Sequence, residues 1–257
     1  MAPTPPVALT IAGSDCSSGA GIQADLKTFQ HFRVHGLTAV TCVVSETANI
    51  VRVVHPVPVE VVADQVSLML HAFPVAAVVE ILRAHPGVAL VVDPVMIAST
   101  GASLLEADAV AAYQELLLPM ARVITPNLPE AEVLLGREIP DEGALEDAAR
   151  ELAERYGTAV LLKGGHLPGA ECIDLLVEHG HVHRFSAARI DLPGSHGTGC
   201  TLSAAIAAAM ALGQQLPEAV GTAKDYLGRT LRESYEFTSP IGEAVHALNQ
   251  GTCLEGR

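Results

Sequence analysis

Two glycine-rich passages each stand between an apolar run and a helical pattern, where backbone N–H groups can converge on an anion. The later passage is Gly194-Ser-His-Gly-Thr-Gly-Cys-Thr-Leu-Ser203, in which Gly197, Thr198 and Gly199 directly precede Cys200. Its glycines open an apolar helix, so the passage predicts a site for a phosphoryl group. It does not match G-x-x-x-x-G-K-[ST], which excludes a Walker-type nucleotide site.

Cys200 is the residue of this passage with acid–base chemistry. It falls in the first turn of the predicted helix, where the field of the helix lowers the pKa of a thiol. A thiolate near neutral pH can accept the proton of an attacking hydroxyl, so Cys200 is a candidate general base. The alternative is a small buried cysteine at a helix start, which is common by itself.

The earlier passage, Gly13-Ser-Asp-Cys-Ser-Ser-Gly-Ala-Gly-Ile-Gln-Ala24, follows the first apolar run. Ligands of open α/β sheets bind at the carboxyl ends of strands, so this turn is well placed for a ligand. Its G-x-G-x-x-A pattern at Gly19, Gly21 and Ala24, with Glu46 as a ribose-binding acid, makes a dehydrogenase a rival. The turn is longer than the tight turn of a dinucleotide-binding unit, and a turn without any ligand also remains open.

Polar residues at two later strand ends could hold a metal ion. Asn127 and Glu130, in Thr125-Pro-Asn-Leu-Pro-Glu130, lie on one side of a first helical turn and could bind Mg²⁺ through water. Asp93, also at a strand end, supplies a second carboxylate at the same edge. The alternative for Asn127 and Glu130 is a helix-capping pair with no metal.

A lysine at a third strand end offers a positive charge to a phosphate. Lys163 closes an apolar run and is followed by Gly164-Gly-His166. The ammonium group on its flexible stem can reach a transferring phosphate as a point charge. His166 fits a structural or solvent-edge histidine better than a catalytic one.

These residues need a scaffold in which strands and helices alternate. Apolar runs bounded by turn residues predict strands at Val7–Ala12, Leu37–Val44, Val88–Val92, Arg122–Thr125 and Ala159–Leu162. Helical patterns fall at Ile22–Phe32, Val59–Phe73, Leu104–Leu118, Glu142–Tyr156, Gly199–Leu212 and Pro217–Ser234. The alternation predicts an α/β fold, with a mostly parallel sheet covered by helices on both faces, in one domain over residues 1–257.

Two segments break the alternation. Cys172–Val177 and His181–Phe185 flank a short polar turn and predict a β-hairpin at the edge of the sheet. The helical pattern that ends near Phe73 is followed by Pro74 and then by a second helical pattern, Ala76–His85. One strand that the alternation requires is therefore missing after Phe73.

Composition excludes several classes of function. Hydrophobic residues make up 49% of the 257 residues and mean hydropathy is +0.35, yet no apolar run is long enough to span a bilayer. A net charge of −14 and a pI near 5.1 argue against nucleic-acid binding, whereas local amides and a metal ion still permit ATP. Five scattered cysteines without a C-x-x-C pair, and a start without a basic segment, predict a cytoplasmic protein with no signal peptide, disulfide framework or zinc site.

Taken in order, the passages resemble those of the bacterial hydroxymethylpyrimidine/phosphomethylpyrimidine kinases of thiamin biosynthesis, in the ribokinase-like superfamily. The matching text is Ala8-Leu-Thr-Ile-Ala-Gly-Ser-Asp15, Gly19-Ala-Gly-Ile-Gln-Ala-Asp-Leu-Lys-Thr28, Asp93-Pro-Val-Met96, Ile124-Thr-Pro-Asn-Leu-Pro-Glu-Ala131, Leu162-Lys-Gly-Gly-His166 and His196-Gly-Thr-Gly-Cys-Thr-Leu-Ser-Ala-Ala205. It spans nearly the whole chain. The resemblance implies a ribokinase-like fold, ATP and Mg²⁺ as cofactors, a small-molecule substrate and a homodimer.

The resemblance also implies a role for each site residue. Catalysis would fall to Cys200 as base, to Gly197, Thr198 and Gly199 as the cradle of the moving phosphoryl group, and to Lys163. The nucleotide would contact Lys163, Asn127 and Thr198, and the metal would be held by Glu130, Asn127 and Asp93. The pyrimidine pocket would be lined by Gly13, Ala20, Asp25, Val44 and Glu46.

Two departures from the family pattern affect these expectations. The family usually has Gln-Asn-Thr after the second strand, and here the text is Val44-Ser-Glu-Thr47. An amide donates and accepts, whereas a carboxylate only accepts, so we expect Glu46 to bind the pyrimidine with a changed preference for its protonation state. The family also carries a strand after the position of Phe73, followed by a Lys-x-Gly-Met/Leu-like turn that normally helps to wall the substrate pocket. Loss of the strand would leave backbone groups unpaired.

Three readings of function remain at this point. The leading one is ATP-dependent phosphorylation of 4-amino-5-hydroxymethyl-2-methylpyrimidine and of its monophosphate. A pyridoxal or pyridoxine kinase is a close alternative, because that ring also presents a hydroxymethyl group. From another class, the chain could be a catalytically impaired paralogue that binds its ligand without turnover. The dehydrogenase rival gives no role to Lys163, Asn127, Glu130 or Cys200.

Overall fold

The computed structural model of the chain describes residues 3–47, 50–72, 88–96, 107–190, 192, 196–238 and 244–251. Within them, the strands are β1 (Val7–Asp15), β2 (His35–Thr47), β3 (Ile50–Pro56), β4 (Val91–Val92), β5 (Val123–Ile124), β6 (Ala159–Lys163), β7 (Glu171–Glu178), β8 (His181–Ala188), β9 (Tyr235–Thr238) and β10 (Ala244–Ala247). The α-helices are α1 (Gly21–His31), α2 (Val59–Ala72), α3 (Ala107–Ala112), α4 (Leu128–Leu135), α5 (Leu145–Tyr156), α6 (Thr198–Ala211) and α7 (Leu216–Arg232). None of these helices is long and apolar enough to cross a membrane.

Packing groups the chain into two compact units. The first consists of Met1–Val88 with Ile190–Arg257, and the second of Ala89–Arg189. The first unit contains the sheet β1-β2-β3 and the hairpin β9-β10, and the second contains the sheet β4-β5-β6-β7-β8. The single domain expected over residues 1–257 stays a prediction.

Strand directions bring the candidate site residues to common edges of the sheets. In the first unit β1 and β2 run parallel, and the register pairs Asp15 with Val44 near their carboxyl ends. In the second unit β4, β5 and β6 run parallel, so that Asp93, Thr125 and Lys163 follow or end three adjacent strands. Antiparallel β3, β7 and β8 complete mixed sheets. The α/β class is confirmed, and the antiparallel strands account for the difference from a mostly parallel sheet.

Each unit has an apolar core that fixes its strand ends. In the first unit the alanine-rich α6 packs closely on α1 and β1, where Ala204 and Ala208 contact a cluster that includes Phe29. Small side chains allow this close approach. In the second unit α4 and α5 pack on the central strands through a buried cluster that includes Ile124 and Leu162. These cores hold the polar strand ends rigidly at the sheet edges.

Three local expectations need correction or fall outside the described residues. Strand β3 was not expected, because the alternation of strands and helices favours a helical crossover after β2 rather than a hairpin. The helix expected over Leu104–Leu118 is described from Ala107 and changes to a π turn at Tyr113–Leu117 and a 3₁₀ turn at Leu118–Met120. Pro119 explains this ending, since it has no N–H for a helical hydrogen bond. The helical pattern Ala76–His85 and the strand missing after Phe73 lie outside the described residues.

Candidate active site

The turn between β1 and α1 is filled by a carboxylate from its own strand. Asp15 is 2% exposed, and its Oδ2 accepts the N–H groups of Gly19 at 2.9 Å and Ala20 at 2.8 Å. Ser17 adds its N–H to Oδ1 at 2.7 Å and its hydroxyl to Oδ2 at 3.0 Å. Burial raises the pKa of Asp15, but hydrogen bonds from His196, Ala20 and Ser17 lower it by a larger amount. The pKa of Asp15 therefore lies well below its ordinary value.

This carboxylate occupies two amides that directly precede α1. The pyrophosphate of a bound dinucleotide contacts N–H groups at the start of the helix, and here Gly19 and Ala20 already donate to Asp15. Gly21 has φ 56°, and a Cβ there would lie 2.3 Å from the Gly13 carbonyl oxygen, so this glycine serves the turn itself. The amides of Gly19 and Ala20 are therefore occupied and do not serve the pyrophosphate of a dinucleotide.

The five residues expected to contact the pyrimidine belong to the first unit, at Gly13, Ala20, Asp25, Val44 and Glu46. Val44 lies beside Asp15 in the sheet. The Cys16 thiol donates to the Glu46 carbonyl at 3.2 Å and accepts its N–H at 3.3 Å, which ties the end of β2 to the first turn. Four of the five are thus gathered at the carboxyl ends of β1 and β2.

Asp25 is set apart from this group. It lies on α1, is 8% exposed, and accepts a hydrogen bond from the hydroxyl of Thr10 at 2.5 Å. Thr10 is in the middle of β1, so this contact directs Asp25 toward the strand. Its place near the reacting hydroxymethyl group stays a prediction.

Glu46 lies half-buried, and its pKa responds to both Asp15 and His196. Burial raises the pKa of Glu46 and the negative Asp15 raises it further, while His196 lowers it, with a net shift upward. A protonated carboxyl both donates and accepts a hydrogen bond, as an amide does. The contact of Glu46 with a pyrimidine edge stays a prediction.

Helix α6, like α1, begins without a side-chain cap, but its N-cap residue is a glycine with a left-handed backbone. Gly197 is the N-cap residue with φ 83°, and no side chain caps the helix. Thr198, Gly199 and Cys200 form the first helical turn. A helix that begins without a side-chain cap leaves its first amides available to an anion, in the positive field of the helix. The half-buried Cys200 sits within that same turn.

In the second unit, the charged side chains at the carboxyl ends of the parallel strands neutralise one another. Lys163 and Asp93 form an ion pair with Nζ and Oδ1 2.7 Å apart, and the Thr125 hydroxyl donates to the same oxygen at 2.9 Å. The two charged side chains are 14% and 12% exposed. Burial lowers the pKa of Lys163, but Asp93 and Glu130 raise it more, so the ammonium group stays charged.

Asn127 and Glu130 form the capping box that the spacing allowed as an alternative to a metal site. The Asn127 side chain accepts the Glu130 N–H at 2.9 Å, and the Glu130 carboxylate accepts the Asn127 N–H at 2.8 Å. Glu130 is 2% exposed. Burial raises the pKa of Glu130 to about 7, against the lowering effect of Lys163.

The donor set fits a magnesium ion that arrives with a nucleotide. In the part of the chain that the structure describes, no three His, Cys, Asp or Glu side chains are grouped to hold a metal by themselves. Asp93 and Glu130 both act on Lys163, so two carboxylates lie near one ammonium group. Mg²⁺ is commonly held by one or two carboxylates together with substrate phosphates and water. The metal role of Asp93, Asn127 and Glu130 stays a prediction.

Sequence reasoning assigned no role to Asp15, His196 or Thr125, which the structure places among the site residues. The Nε2 atom of His196 lies 3.2 Å from Asp15 Oδ2 and 2.9 Å from the Ser17 hydroxyl. An aspartate that directly follows an apolar run and precedes a glycine-rich turn is a usable signal for Asp15. His196 is distant in sequence, so local pattern gives no indication of that contact.

Comparison with known proteins places the chain in a family. Residues 15–244 match the phosphomethylpyrimidine kinase family. The hydroxymethylpyrimidine/phosphomethylpyrimidine kinase of Rhizobium meliloti strain 1021 is 44% identical over 236 residues, which are 86% of this chain and 88% of that protein.

Two solved structures share the fold. The phosphomethylpyrimidine kinase of Clostridium difficile 630 is 35% identical with a TM-score of 0.76, over 88% of this chain and 99% of that one. The pyridoxal kinase of Staphylococcus aureus, in complex with AMP-PCP and pyridoxal, is 31% identical with a TM-score of 0.83, over 97% and 94%. This chain, as its motifs predicted, belongs to the phosphomethylpyrimidine kinase family, and is a kinase with the ribokinase-like α/β fold.

Proposed function

We propose that the chain transfers a phosphoryl group from ATP to the hydroxymethyl oxygen of 4-amino-5-hydroxymethyl-2-methylpyrimidine, and then to the monophosphate formed. The observation that carries this proposal is the uncapped turn at the start of α6, where Gly197 has φ 83° and Cys200 lies in the first helical turn. Membership of the phosphomethylpyrimidine kinase family supports the substrate class.

Cys200 acts as the general base in this proposal. As the hydroxymethyl oxygen bonds to the γ-phosphorus, its proton passes to the Cys200 thiolate and ADP leaves with the electrons of the broken P–O bond. The amides of Gly197, Thr198 and Gly199 stabilise the negative charge on the phosphoryl oxygens. Phosphoryl transfer depends mainly on such positioning and charge neutralisation.

The second unit contributes charge to nucleotide binding. Lys163 neutralises ATP phosphates, and Asn127 contacts the nucleotide. ATP-analogue complexes of related pyridoxal kinases support the use of ATP. Mg²⁺ at Asp93, Asn127 and Glu130, held partly through water, would screen the phosphate charge.

The pyrimidine binds near the carboxyl ends of β1 and β2 in this proposal, against Gly13, Ala20, Asp25, Val44 and Glu46. Glu46 forms hydrogen bonds with the ring edge. In this proposal the complex is most stable when either the Glu46 carboxyl or the ring carries a proton. The variant Glu46→Gln tests this role, because an amide has no protonation change in the working range. We expect its KM for the pyrimidine to lose the pH dependence of the wild type, and an unchanged KM profile would contradict the role of Glu46.

Pyridoxal phosphorylation is a second candidate function. The specific observation is the TM-score of 0.83 with a pyridoxal kinase solved in complex with pyridoxal. Pyridoxal presents a hydroxymethyl group on a flat nitrogen ring, so the same base and cradle would serve it. Relative turnover of the two rings therefore decides between the readings.

Turnover with separate substrates tests the proposal. ATP consumption is measured for purified protein with hydroxymethylpyrimidine, its monophosphate and pyridoxal. We expect turnover with both pyrimidines that is lost in Cys200→Ala, and at least 10-fold lower kcat/KM with pyridoxal. Preference for pyridoxal would replace the leading proposal with the second one, and ATP binding without any turnover would favour an impaired paralogue.

Two properties of the enzyme stay predictions beside this function. The scattered cysteines predict a cytoplasmic enzyme, and Cys16, Cys42 and Cys172 are unpaired thiols in agreement with a reducing setting. A homodimer is expected from the resemblance alone. The acidic charge of the chain continues to argue against a nucleic-acid partner.

A further inference from the structure

The two glycine-rich turns of the first unit are in direct contact, through atoms that leave no room for a side chain. A Cβ on Gly197 would lie 1.9 Å from the carbonyl oxygen of Gly19. A Cβ on Gly19 would lie 2.3 Å from two atoms of the His196 ring. Residues His196 and Gly197 are therefore packed against Gly19, and the shape of the second turn depends on the first.

One carboxylate oxygen joins the two turns. Oδ2 of Asp15 accepts the N–H groups of Gly19 and Ala20 and the hydroxyl of Ser17, all in the first turn. The same oxygen lies 3.2 Å from Nε2 of His196, the residue before the N-cap of α6. With its proton on Nε2, the imidazole donates to this oxygen and to the Ser17 hydroxyl, 2.9 Å away.

Burial protects this contact from water, while its length of 3.2 Å exceeds that of a typical charge-assisted hydrogen bond. Asp15 is 2% exposed and the His196 side chain is 12% exposed, so water competes little for either group. A hydrogen bond to an ionised carboxylate is shorter and stronger than one between neutral groups. Gln250, also 2% exposed, supports the junction with a weaker contact of 3.5 Å from its amide nitrogen to the Gly19 carbonyl.

We propose that Asp15 is a positioning residue for phosphoryl transfer, which holds the uncapped turn of Gly197–Cys200 in its reactive shape through His196. This inference rests on the proposed function, and it assigns Asp15 and His196 no contact with the substrate. Asp15 fills one set of amides so that the neighbouring set can receive the phosphoryl group. Loss of the contact would loosen the turn and reduce the rate of transfer more than the affinity for ATP.

Four variants test the proposal by two independent readouts. Asp15→Asn replaces one acceptor oxygen by an NH₂ group that opposes a donor, and His196→Ala removes the donor to Asp15. His196→Gln retains an amide N–H that can reach Asp15, and Asp64→Asn on the exposed side of α2 is the control. Hydrogen exchange of the Gly197–Thr201 amides is followed by mass spectrometry, and kcat and KM for ATP are measured with hydroxymethylpyrimidine.

We expect Asp15→Asn and His196→Ala to raise exchange at the turn at least 10-fold and to lower kcat at least 10-fold. The KM for ATP should stay within about 3-fold, His196→Gln should recover kcat to within about 3-fold of wild type, and the control should match wild type. A fifth variant that combines Asp15→Asn with His196→Ala should be no worse than the poorer of these two single variants, because both changes break one contact.

Exchange and kcat within 2-fold of wild type in His196→Ala would overturn the proposal, as would equal losses in His196→Gln and His196→Ala. The two histidine variants decide the matter even where Asp15→Asn does not fold. A wild-type protein that exchanges slowly at the turn but phosphorylates no pyrimidine would contradict the proposed function, and the exchange of the variants would still decide the contact.

Discussion

The two compact units stabilise their buried charges in different ways. In the first unit, the carboxylate of Asp15 is surrounded by backbone N–H groups and His196, and its pKa is lowered. In the second unit, Asp93 and Glu130 lie near Lys163, and the pKa of Glu130 is raised to about 7. Asp15 and Glu130 are each 2% exposed, so burial alone does not explain why the pKa of one is lowered and the pKa of the other is raised.

The number of donors explains the contrast. Asp15 accepts hydrogen bonds from four residues, counting Ser17, Gly19, Ala20 and His196. The capping box gives Glu130 the N–H of Asn127, and the negative Asp93 opposes its charge. Backbone donors are fixed by the fold and hold a charge in one geometry. Side-chain charges titrate and respond to one another, as the opposing effects of Asp93 and Lys163 on Glu130 show.

The largest expected effect is on the first unit, at the uncapped start of α6. Cys200→Ala removes the proposed base from the uncapped turn, and we expect kcat to fall by a factor of about 10² to 10⁴. The KM for ATP should change little, because the proposal gives the Cys200 thiol no contact with the nucleotide. Cys172→Ala, a half-buried cysteine on β7, is the matched control and should retain kcat within about 2-fold.

Steady-state kinetics with hydroxymethylpyrimidine gives both constants. A Cys200→Ala enzyme as active as wild type would show that another group takes the proton, and the uncapped turn would then be a cradle without its own base.

Removing the central charge of the second unit should have the next largest effect. Lys163→Met keeps the apolar stem but leaves Asp93 as a buried charge, and breaking a buried ion pair typically costs about 3–5 kcal/mol in the free energy of unfolding. Arg150→Ala, which breaks the exposed pair with Glu146, should cost less than about 1 kcal/mol. Urea unfolding measures both, and equal small losses would mean that side-chain charge balance contributes little to this unit.

Glu130 gives the second unit a pH dependence of stability that extends toward neutrality. Because its pKa rises from 4.5 in the ordinary group to about 7, the folded state binds the extra proton between these values. The free energy of unfolding should therefore fall as pH rises through this window, by about 3 kcal/mol at most. Glu130→Gln keeps a capping-box acceptor and should abolish the fall.

Urea unfolding between pH 5 and 8 measures this prediction. Glu154→Gln, an exposed carboxylate on α5, is the control and should follow the wild type. The same pH slope in wild type and Glu130→Gln would show that Glu130 does not carry the dependence.

Gly136 and Gly197 both have a positive φ, but only Gly197 has neighbouring atoms where a Cβ would lie. Gly136 ends α4 with φ 72° and has nothing within 4 Å of an added Cβ, whereas a Cβ on Gly197 meets the Gly19 carbonyl. Gly136→Ala should cost about 1–2 kcal/mol for the left-handed backbone. Gly197→Ala should cost about 1–3 kcal/mol more, because the crowded turn must shift. Equal losses in denaturant unfolding would argue that the two turns are not interlocked.

Local patterns in the sequence predicted one part of the site well. The glycines before Cys200 identify an uncapped helix start, and the spacing of Asn127 and Glu130 allows the capping box that the structure shows. Both features depend on residues within one turn of each other. For the same reason, the alternation of strands and helices predicted the α/β fold but not β3, whose pairing as a hairpin with β2 is decided by the sheet.

Contacts between distant residues were beyond such reasoning. The approach of His196 to Asp15 and of Gln250 to Gly19 depends on how α1, α6 and the residues after β10 pack. The pairing of Lys163 with Asp93 depends on the order of strands β4, β5 and β6. Sequence showed which residue types stand at strand ends, while the fold determined which of them meet.

The most direct test of the account is a crystal structure of the enzyme with Mg²⁺, AMP-PCP and hydroxymethylpyrimidine. We predict that the hydroxymethyl oxygen lies about 3 Å from Cys200 Sγ, that γ-phosphate oxygens contact amides of Gly197–Cys200, and that Asp15 still fills the first turn. Phosphate bound to the amides of Gly19 and Ala20, with Asp15 displaced, would contradict the assignment of the two turns.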